Sequence, residues 1–243
     1  IINMKTFFVD KIDGNLIKLE DDEHNHLKNV LRLNVNDQVK VVCGDEFNYY
    51  CKVCEINKKD SVLKVEKKEL NTANPKVNLT CYMALIKNDN LTLVVQKLTE
   101  LGCSNFVPFE SAYTVNKDKG TKTEKLITVT KQSLKQCGRS IPMNISETKN
   151  ILKLDNMLKA HDLIIFANET EKSSNLNTVL TKNSNAKNIA IIVGCEGGFA
   201  QEEIKYLLAH GAKSISLGNR ILRAETAAIM LTSIVLNHFK EYC

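Results

Sequence analysis

The sequence predicts an α/β protein that combines a small N-terminal β-barrel or sandwich with a larger, mostly parallel sheet covered by helices on both faces. Short strand-like runs separated by turns fill the first seventy residues, whereas strands and helices alternate from residue 77 onward. The length of 243 residues also exceeds the roughly 100–200 residues of a typical domain. The polar segment 71–75, closed by Pro75, separates the two patterns, so we expect domains at 1–72 and 76–243.

The N-terminal part is predicted to consist of strands with one short helix. Turn residues such as Asp13-Gly14 and Gly44-Asp45 separate runs that are rich in apolar and β-branched residues. These runs predict strands at 6–9, 15–19, 38–43, 47–56 and 61–68. The helix is expected to begin after an acidic cap at Asp21 or Asp22 and to end at Leu31.

The second part alternates buried strand-like runs with amphipathic helical runs. Strands are predicted at 77–86, 106–109, 161–168, 188–193 and 214–217. Helices are predicted from 89 or 90 to 101, from 121 or 123 to 137, at 201–210 and at 224–240. This alternation is typical of a parallel sheet, which binds ligands outside the carboxyl ends of its strands.

Composition excludes several classes of protein. With 43% hydrophobic and 25% charged residues, the chain has an ordinary globular composition. No apolar run approaches the roughly 18 residues of a membrane span, so we expect a cytoplasmic protein without a membrane partner. Of the 8 cysteines, only Cys51 and Cys54 have the spacing of metal ligands, and no second pair completes a zinc site. We therefore predict reduced structural thiols and no metal.

Positive charge concentrates in the segment 117–139. Such a lysine-rich stretch is either a solvated helix face or a surface that binds the phosphates of a nucleic acid. The candidate phosphate contacts are Arg32, Lys122, Lys125, Lys131, Lys135 and Arg139.

Two late turns carry the most informative residues. The strand 188–193 runs into Gly194-Cys-Glu196-Gly197-Gly198, where glycines permit close approach of a ligand to the backbone. This pattern is not the G-x-G-x-x-G of dinucleotide-binding dehydrogenases and lies too late in the chain, although a plain tight turn is an alternative. The strand 214–217 runs into a glycine turn and then a helix start that holds Arg220, Arg223 and Glu225. We expect both turns to converge on one pocket.

These residues resemble the RsmE family of 16S rRNA uridine N3 methyltransferases, within the knotted SPOUT class of S-adenosylmethionine enzymes. The segment Gly194–Phe199 is similar to that family's G-P-E-G-G-[FL] loop, and 217–227 to its L-G-x-R-I-L-R-x-E-T-A signature. Shorter matches lie at 5–9, 26–32, 96–102 and 136–139, so the resemblance covers nearly the whole chain. The chain departs from the family at Cys195, which replaces a proline, and at Ser111-Ala112-Tyr113, which replaces Ser-Glu-Arg.

The resemblance implies a PUA-like N-terminal barrel that binds RNA, a C-terminal trefoil knot, and a homodimer with its active site near the subunit interface. It implies methyl transfer from S-adenosyl-L-methionine to N3 of a uridine, position 1498, in small-subunit ribosomal RNA. The expected partners are that RNA or the assembled small subunit and a second copy of the chain, with no DNA. The alternatives are a knotted methyltransferase that acts on ribose 2′-hydroxyls or transfer RNA, and a non-catalytic RNA-binding assembly factor.

The knot would bring three strand-end loops around the cofactor. The expected cofactor residues are Phe166, Asn168, Val193, Gly194, Glu196, Gly197, Gly198, Leu217, Gly218, Ile221 and Leu222. Arg223 is expected to stabilise the uridine anion, helped by the N-terminus of the last helix. Glu196 is expected to orient that arginine, hold a substrate amide or serve as the base, and Glu225 is the third candidate catalytic residue.

Overall fold

The computed structural model describes residues 4–115 and 122–242, which divide into two compact units. The first unit comprises the chain up to Asn74 together with Lys131–Pro142, and the second comprises Pro75–Thr130 with the chain from Met143 onward. The predicted fold class, α/β with a parallel sheet and a separate N-terminal strand unit, is confirmed.

The first unit contains the strands β1 (Thr6–Phe8), β2 (Leu16–Leu19), β3 (Gln38–Val42), β4 (Phe47–Ile56) and β5 (Ser61–Leu70). They form one sheet in the order β1-β3-β4-β5-β2, in which β1 and β3 run parallel and the other pairs run antiparallel. The helix α1 (Asp21–Asn25) continues into a π-helical turn, His26–Val30. Alternate residues of β4 point into the core, so Tyr49, Cys51 and Val53 are buried.

The segment Lys131–Pro142 packs in the first unit, although the sequence suggested that it belongs to the second domain. Polar side chains just before Pro75 explain this. Asn71 Nδ2 donates to the carbonyl oxygen of Gly138 at 2.8 Å, and Asn74 Oδ1 accepts from the amides of Ser140 and Ile141, each at 3.0 Å. The supposed linker is therefore a hydrogen-bonded part of the first unit.

The second unit contains the strands β6 (Asn78–Ala84), β7 (Asn105–Glu110), β8 (Asn144–Ile145), β9 (Lys149–Asn150), β10 (Leu163–Ala167), β11 (Asn188–Val193) and β12 (Lys213–Ile215). Its helices are α2 (Asn88–Leu101), α4 (Asp155–Leu158), α5 (Leu176–Lys182), α6 (Gln201–Ala209) and α7 (Ala224–His238), with a 3₁₀ turn at Ile151–Lys153. The helix α3 (Lys122–Cys137) begins in this unit, and its last turns belong to the first.

The second sheet has the order β12-β10-β11-β6-β7-β8, with β9 also paired to β7. Every pairing recorded for it between residues 78 and 215, in the part of the chain that is described, is parallel. The central strands are buried along their length, as expected for a parallel sheet flanked by helices. The helix α2 ends at Gly102, whose φ of 103° is the left-handed cap that only glycine adopts readily.

The predicted elements are present with bounds that lie within a few residues. In the part of the chain that is described, the short elements β8, β9, α4 and α5 and the 3₁₀ turn at Ile151–Lys153 were not predicted. The start of α5 carries a recognisable signal, because Asn175 Oδ1 accepts from the amide of Asn177 at 2.8 Å as an N-cap. Among the residues described, none of the helices combines the length and the apolar character that a membrane span needs.

A buried histidine gives the fold an expected acid sensitivity. The His161 Nε2 atom and the Tyr82 hydroxyl form a 2.9 Å hydrogen bond, and burial lowers the pKa of His161, with Asp162 opposing that shift. The unfolded chain therefore binds a proton near pH 6.5 that the folded protein binds only at lower pH, so stability is lost as pH falls.

We expect thermal stability to fall between about pH 7.5 and pH 5.5, and to fall less steeply in His161→Gln, which cannot titrate in this range. Calorimetric melting of both proteins across this range is the measurement. Parallel curves for the two proteins would show that His161 does not cause the pH dependence.

Candidate active site

Three neighbouring strands bring their following loops to one edge of the second sheet. Because β12, β10 and β11 lie side by side and run parallel, their carboxyl ends point the same way. The loops that leave these ends, at 167–170, 193–199 and 216–223, surround a cavity of about 360 Å³. This is the size of a small-molecule site.

Most of the predicted cofactor residues line this cavity. They are Asn168, Val193, Gly194, Glu196, Gly197, Gly198, Leu217, Gly218, Ile221 and Leu222. Phe166 is not among the lining residues: its ring is fully buried and contacts that of Phe199 edge-on, with the ring centroids 5.8 Å apart. Phe166 therefore packs against Phe199, which lines the cavity, without lining it itself.

The loop after β11 needs its glycines. The Gly198 amide donates to the Cys195 carbonyl oxygen at 2.9 Å, and Gly198 adopts a φ of 70°. A side chain at Gly194 would lie 3.1 Å from the Gly198 carbonyl oxygen, closer than Cβ atoms normally approach. The backbone thus closes tightly here, and Cys195 is buried inside the turn.

The loop after β10 is held to its neighbours by polar groups. The Asn168 amide donates to the Ile215 carbonyl oxygen at 2.9 Å, which joins this loop to β12. Further on, the Glu171 carboxylate accepts from the Ser173 hydroxyl and from the amides of Ser173 and Ser174. These hydrogen bonds lower the pKa of Glu171 to about 2, so it is ionised at neutral pH.

Arg223 stands at the cavity where α7 begins. It is the residue before the first helical position, its carbonyl oxygen accepts from the Ala227 amide at 2.9 Å, and its side chain is exposed. Arg220, Glu169 and Glu196 also line the cavity with exposed side chains. Within the described residues, no carboxylate lies within ion-pair distance of the Arg223 guanidinium. Glu196 therefore does not orient Arg223 in this structure.

Glu225 lies outside the cavity lining. Its Oε1 atom accepts from Asn90 Nδ2 at 3.2 Å, which connects the first turn of α7 to the first turn of α2. In this placement Glu225 links α7 to α2, and its catalytic role stays a prediction.

Glu203 holds two loops beside the cavity, and the sequence did not reveal this role. Its side chain is 1% exposed, and its two carboxylate oxygens bind two different loops. One oxygen accepts from the Ala200 amide at 2.8 Å and the other from the Ala112 amide at 2.7 Å. The first contact is half of a capping box, which is hard to recognise because the cap residue is alanine.

Through this second contact the loop 111–115 reaches the cavity loops. Tyr113 packs on Gly197, where an added Cβ would lie 2.9 Å from the Tyr113 Cβ. The side chain of Tyr113 is 52% exposed.

The predicted phosphate contacts differ in how accessible they are. Arg32 and Lys125 are exposed. In the first unit, Lys131 pairs with Asp10 at 2.9 Å, and the part-buried Lys135 pairs with Glu23 at 2.6 Å. Arg139 is only 3% exposed and its Nε donates to the Ile141 carbonyl oxygen, so the structure corrects its assignment as a phosphate contact. The side chain of Lys122 lies outside the described part of the chain.

Comparisons with known proteins match both units. A family profile described as RNA methyltransferase domain matches residues 72–236, and one described as RNA methyltransferase PUA domain matches residues 19–66. Ribosomal RNA small subunit methyltransferase E of Rickettsia conorii is 34% identical over 89% of this chain and 88% of its own length. The Aquifex aeolicus protein of the same name is 30% identical over 96% of this chain and 100% of its own length.

A solved structure supports the fold over nearly the whole chain. Ribosomal RNA small subunit methyltransferase E from Neisseria gonorrhoeae, bound to S-adenosyl methionine, is 18% identical with a TM-score of 0.89. The match covers 99% of this chain and 100% of that chain.

Proposed function

The chain belongs to the family of ribosomal RNA small subunit methyltransferases E, and on that premise we propose that it transfers a methyl group from S-adenosyl-L-methionine to N3 of a uridine in small-subunit ribosomal RNA. The observation that carries the proposal is the single cavity bounded by three strand-end loops, with Arg223 at its edge. The trefoil knot that the resemblance implies is part of the proposal, and the adjacency of these loops supports it.

The residues of the cavity fit this cofactor. Val193, Leu217 and Leu222 offer apolar walls for the adenine ring. Asn168 also lines the cavity, with its side-chain amide hydrogen-bonded to Ser214 and Thr170. S-adenosylmethionine carries a sulfonium and an ammonium, which the carboxylate of Glu169 attracts, and Arg220 can bind its carboxylate. Tight turns at Gly194 and Gly198 let the ligand approach the backbone.

The bound cofactor supplies an electrophilic methyl group. Uridine N3 carries a proton at neutral pH, so the protein must remove it and stabilise the anion spread over O2, N3 and O4. Arg223 provides a permanent positive charge at the amino end of α7, where the helix dipole adds to it. Glu196 lines the cavity with an exposed carboxylate, and we assign this carboxylate as the acceptor of the N3 proton.

We also propose that a second copy of the chain completes the site. Val115 and Ile221 are 91% and 87% exposed, although both are large apolar side chains. Ile221 lines the cavity itself, so covering it would close the site against water. Sedimentation velocity should give a dimer, and a monomer at working concentration would remove this part of the proposal.

On this proposal the exposed cations Arg32 and Lys125 contact the RNA. The N-terminal unit is the PUA-like RNA-binding domain. The protein acts in the cytoplasm. RNA affinity should then fall steeply with salt, and Lys125→Ala should reduce the slope of that dependence by about one. If the salt dependence of RNA affinity had the same slope in Lys125→Ala as in the wild type, Lys125 would be a solvated residue that does not contact RNA.

The test of the reaction uses small-subunit RNA, and separately small subunits, from a strain that lacks this protein. Incubation with purified protein and S-adenosylmethionine, followed by nucleoside mass spectrometry, should give 3-methyluridine at one site. A 2′-O-methylated nucleoside or a methylated transfer RNA would overturn the uridine N3 assignment. Calorimetry that detects no cofactor binding would favour a non-catalytic assembly factor.

A further inference from the structure

We propose that the ring of Tyr113 is the surface on which the target base stacks while it faces the cofactor cavity. This inference rests on the proposed function and adds a base-positioning residue to it. Among the described residues that line the cavity, none contributes an exposed aromatic ring, since Phe199 is half-buried and contacts Phe166. In the described residues, an aromatic platform for the base is therefore sought on a neighbouring loop.

The loop that carries Tyr113 is fixed to the cavity. The Ala112 amide donates to the buried Glu203 carboxylate at 2.7 Å, and the same carboxylate binds the Ala200 amide of the loop after β11. Within the loop, the Ser111 amide donates to Thr114 Oγ1 at 2.9 Å. These hydrogen bonds therefore fix the position of Tyr113, the residue after Ala112, relative to the cavity wall.

Tyr113 lies against the backbone of Gly197. The Tyr113 Cβ and Cγ atoms would lie 2.9 and 3.3 Å from a Cβ on Gly197, so no other residue fits beneath the ring without displacing it. Gly197 directly follows Glu196, the proposed acceptor of the N3 proton, and both line the cavity. The ring of Tyr113 therefore lies beside the part of the cavity wall that Glu196 and Gly197 form.

A half-exposed ring on a rigid backbone is suited to hold a base. Enzymes that modify a base take it out of its stack and hold it against aromatic or apolar side chains. A Tyr113 side chain that is 52% exposed keeps a free face for such contact, and no hydrogen bond to its hydroxyl is recorded in the described residues. Base–aromatic stacking typically changes affinity by roughly 5- to 150-fold, converted from its free energy.

The test compares Tyr113→Ala and Tyr113→Phe in the full-length protein. Tyr113→Ala should raise KM for RNA about tenfold or more, with cofactor binding by calorimetry and the sedimentation coefficient unchanged. Tyr113→Phe should recover most of that loss, because the ring is restored without the hydroxyl. Leu208→Ala is the control, since Leu208 is similarly exposed (50%) and lies outside the cavity lining.

A fluorescent variant tests stacking without relying on turnover. The chain contains no tryptophan, so Tyr113→Trp introduces a single reporter ring. Its emission should be quenched by RNA that contains the target uridine, and less by the same RNA with an abasic site there. The inference would be overturned by equal quenching with and without the abasic site, or by an unchanged KM for RNA in Tyr113→Ala. It would also be overturned if Tyr113→Phe had as high a KM as Tyr113→Ala, or if Tyr113→Ala no longer formed a dimer. A wild-type protein that makes no 3-methyluridine would instead refute the proposed function.

Discussion

Arg223→Ala is expected to reduce the rate of methyl transfer by about 100- to 1,000-fold while cofactor affinity stays within a few fold. The reason is that Arg223 precedes the first residue of α7, so its removal leaves the helix and the walls of the cavity in place. What is lost is the positive charge that stabilises the uridine anion. Single-turnover kinetics with saturating RNA, together with calorimetry of cofactor binding, separate the two effects.

Arg223→Lys is the matched comparison, because it keeps the charge but not the planar group that contacts two oxygens at once. Its rate should lie between those of wild type and Arg223→Ala. A fully active Arg223→Ala protein would show that the guanidinium has no part in the reaction. Weakened cofactor binding that accounts for the whole loss would assign Arg223 to the cofactor instead.

Glu203→Ala is expected to lower the free energy of unfolding by about 2–4 kcal/mol, since it leaves two backbone amides without their acceptor. The amides of Ala112 and Ala200 both bind this carboxylate, which is 1% exposed. Loss of the contact should also release the loop 111–115 and raise KM for RNA. Urea denaturation and steady-state kinetics measure the two effects.

Glu203→Gln retains the shape and one acceptor oxygen, so its free energy of unfolding should fall less than that of Glu203→Ala. It serves as the test variant if Glu203→Ala is too unstable to purify. Glu202→Ala is the control: Glu202 is the exposed neighbour in the first turn of α6, where a substitution should change stability by less than about 0.5 kcal/mol. Equal stabilities for Glu203→Ala and Glu202→Ala would contradict the structural role of Glu203.

Most of the predicted cofactor residues line one cavity because they come from short continuous segments at strand ends. The turn at Gly194–Gly198 and the segment around Arg223 can each be recognised locally, and parallel strand order then brings them together. Contacts between distant segments could not be predicted in this way. The bond from Ala112 to Glu203 joins residues 91 positions apart, and nothing near either residue indicates it.

Charge patterns were a weaker guide than glycine patterns. A run of lysines and arginines indicates that cations are present, but not whether each has an acidic or carbonyl partner in the fold. Lys135 and Arg139 both have one, in Glu23 and in the Ile141 carbonyl oxygen. The periodicity of α3 is likewise continuous across Thr130, although the two parts of this helix belong to different units.

The shared carboxylate of Glu203 makes the positions of two loops interdependent. On the proposed function, one of these loops would contact the cofactor and the other the target base. If a ligand bound at one loop changes the free energy of binding at the other, the second ligand must change the binding free energy of the first by the same amount. If S-adenosylmethionine raised the affinity for RNA, bound RNA would raise the affinity for S-adenosylmethionine by the same factor. The product that has lost the methyl group would have a different affinity. A single buried acidic side chain outside the cavity lining can thus influence the order of binding and release.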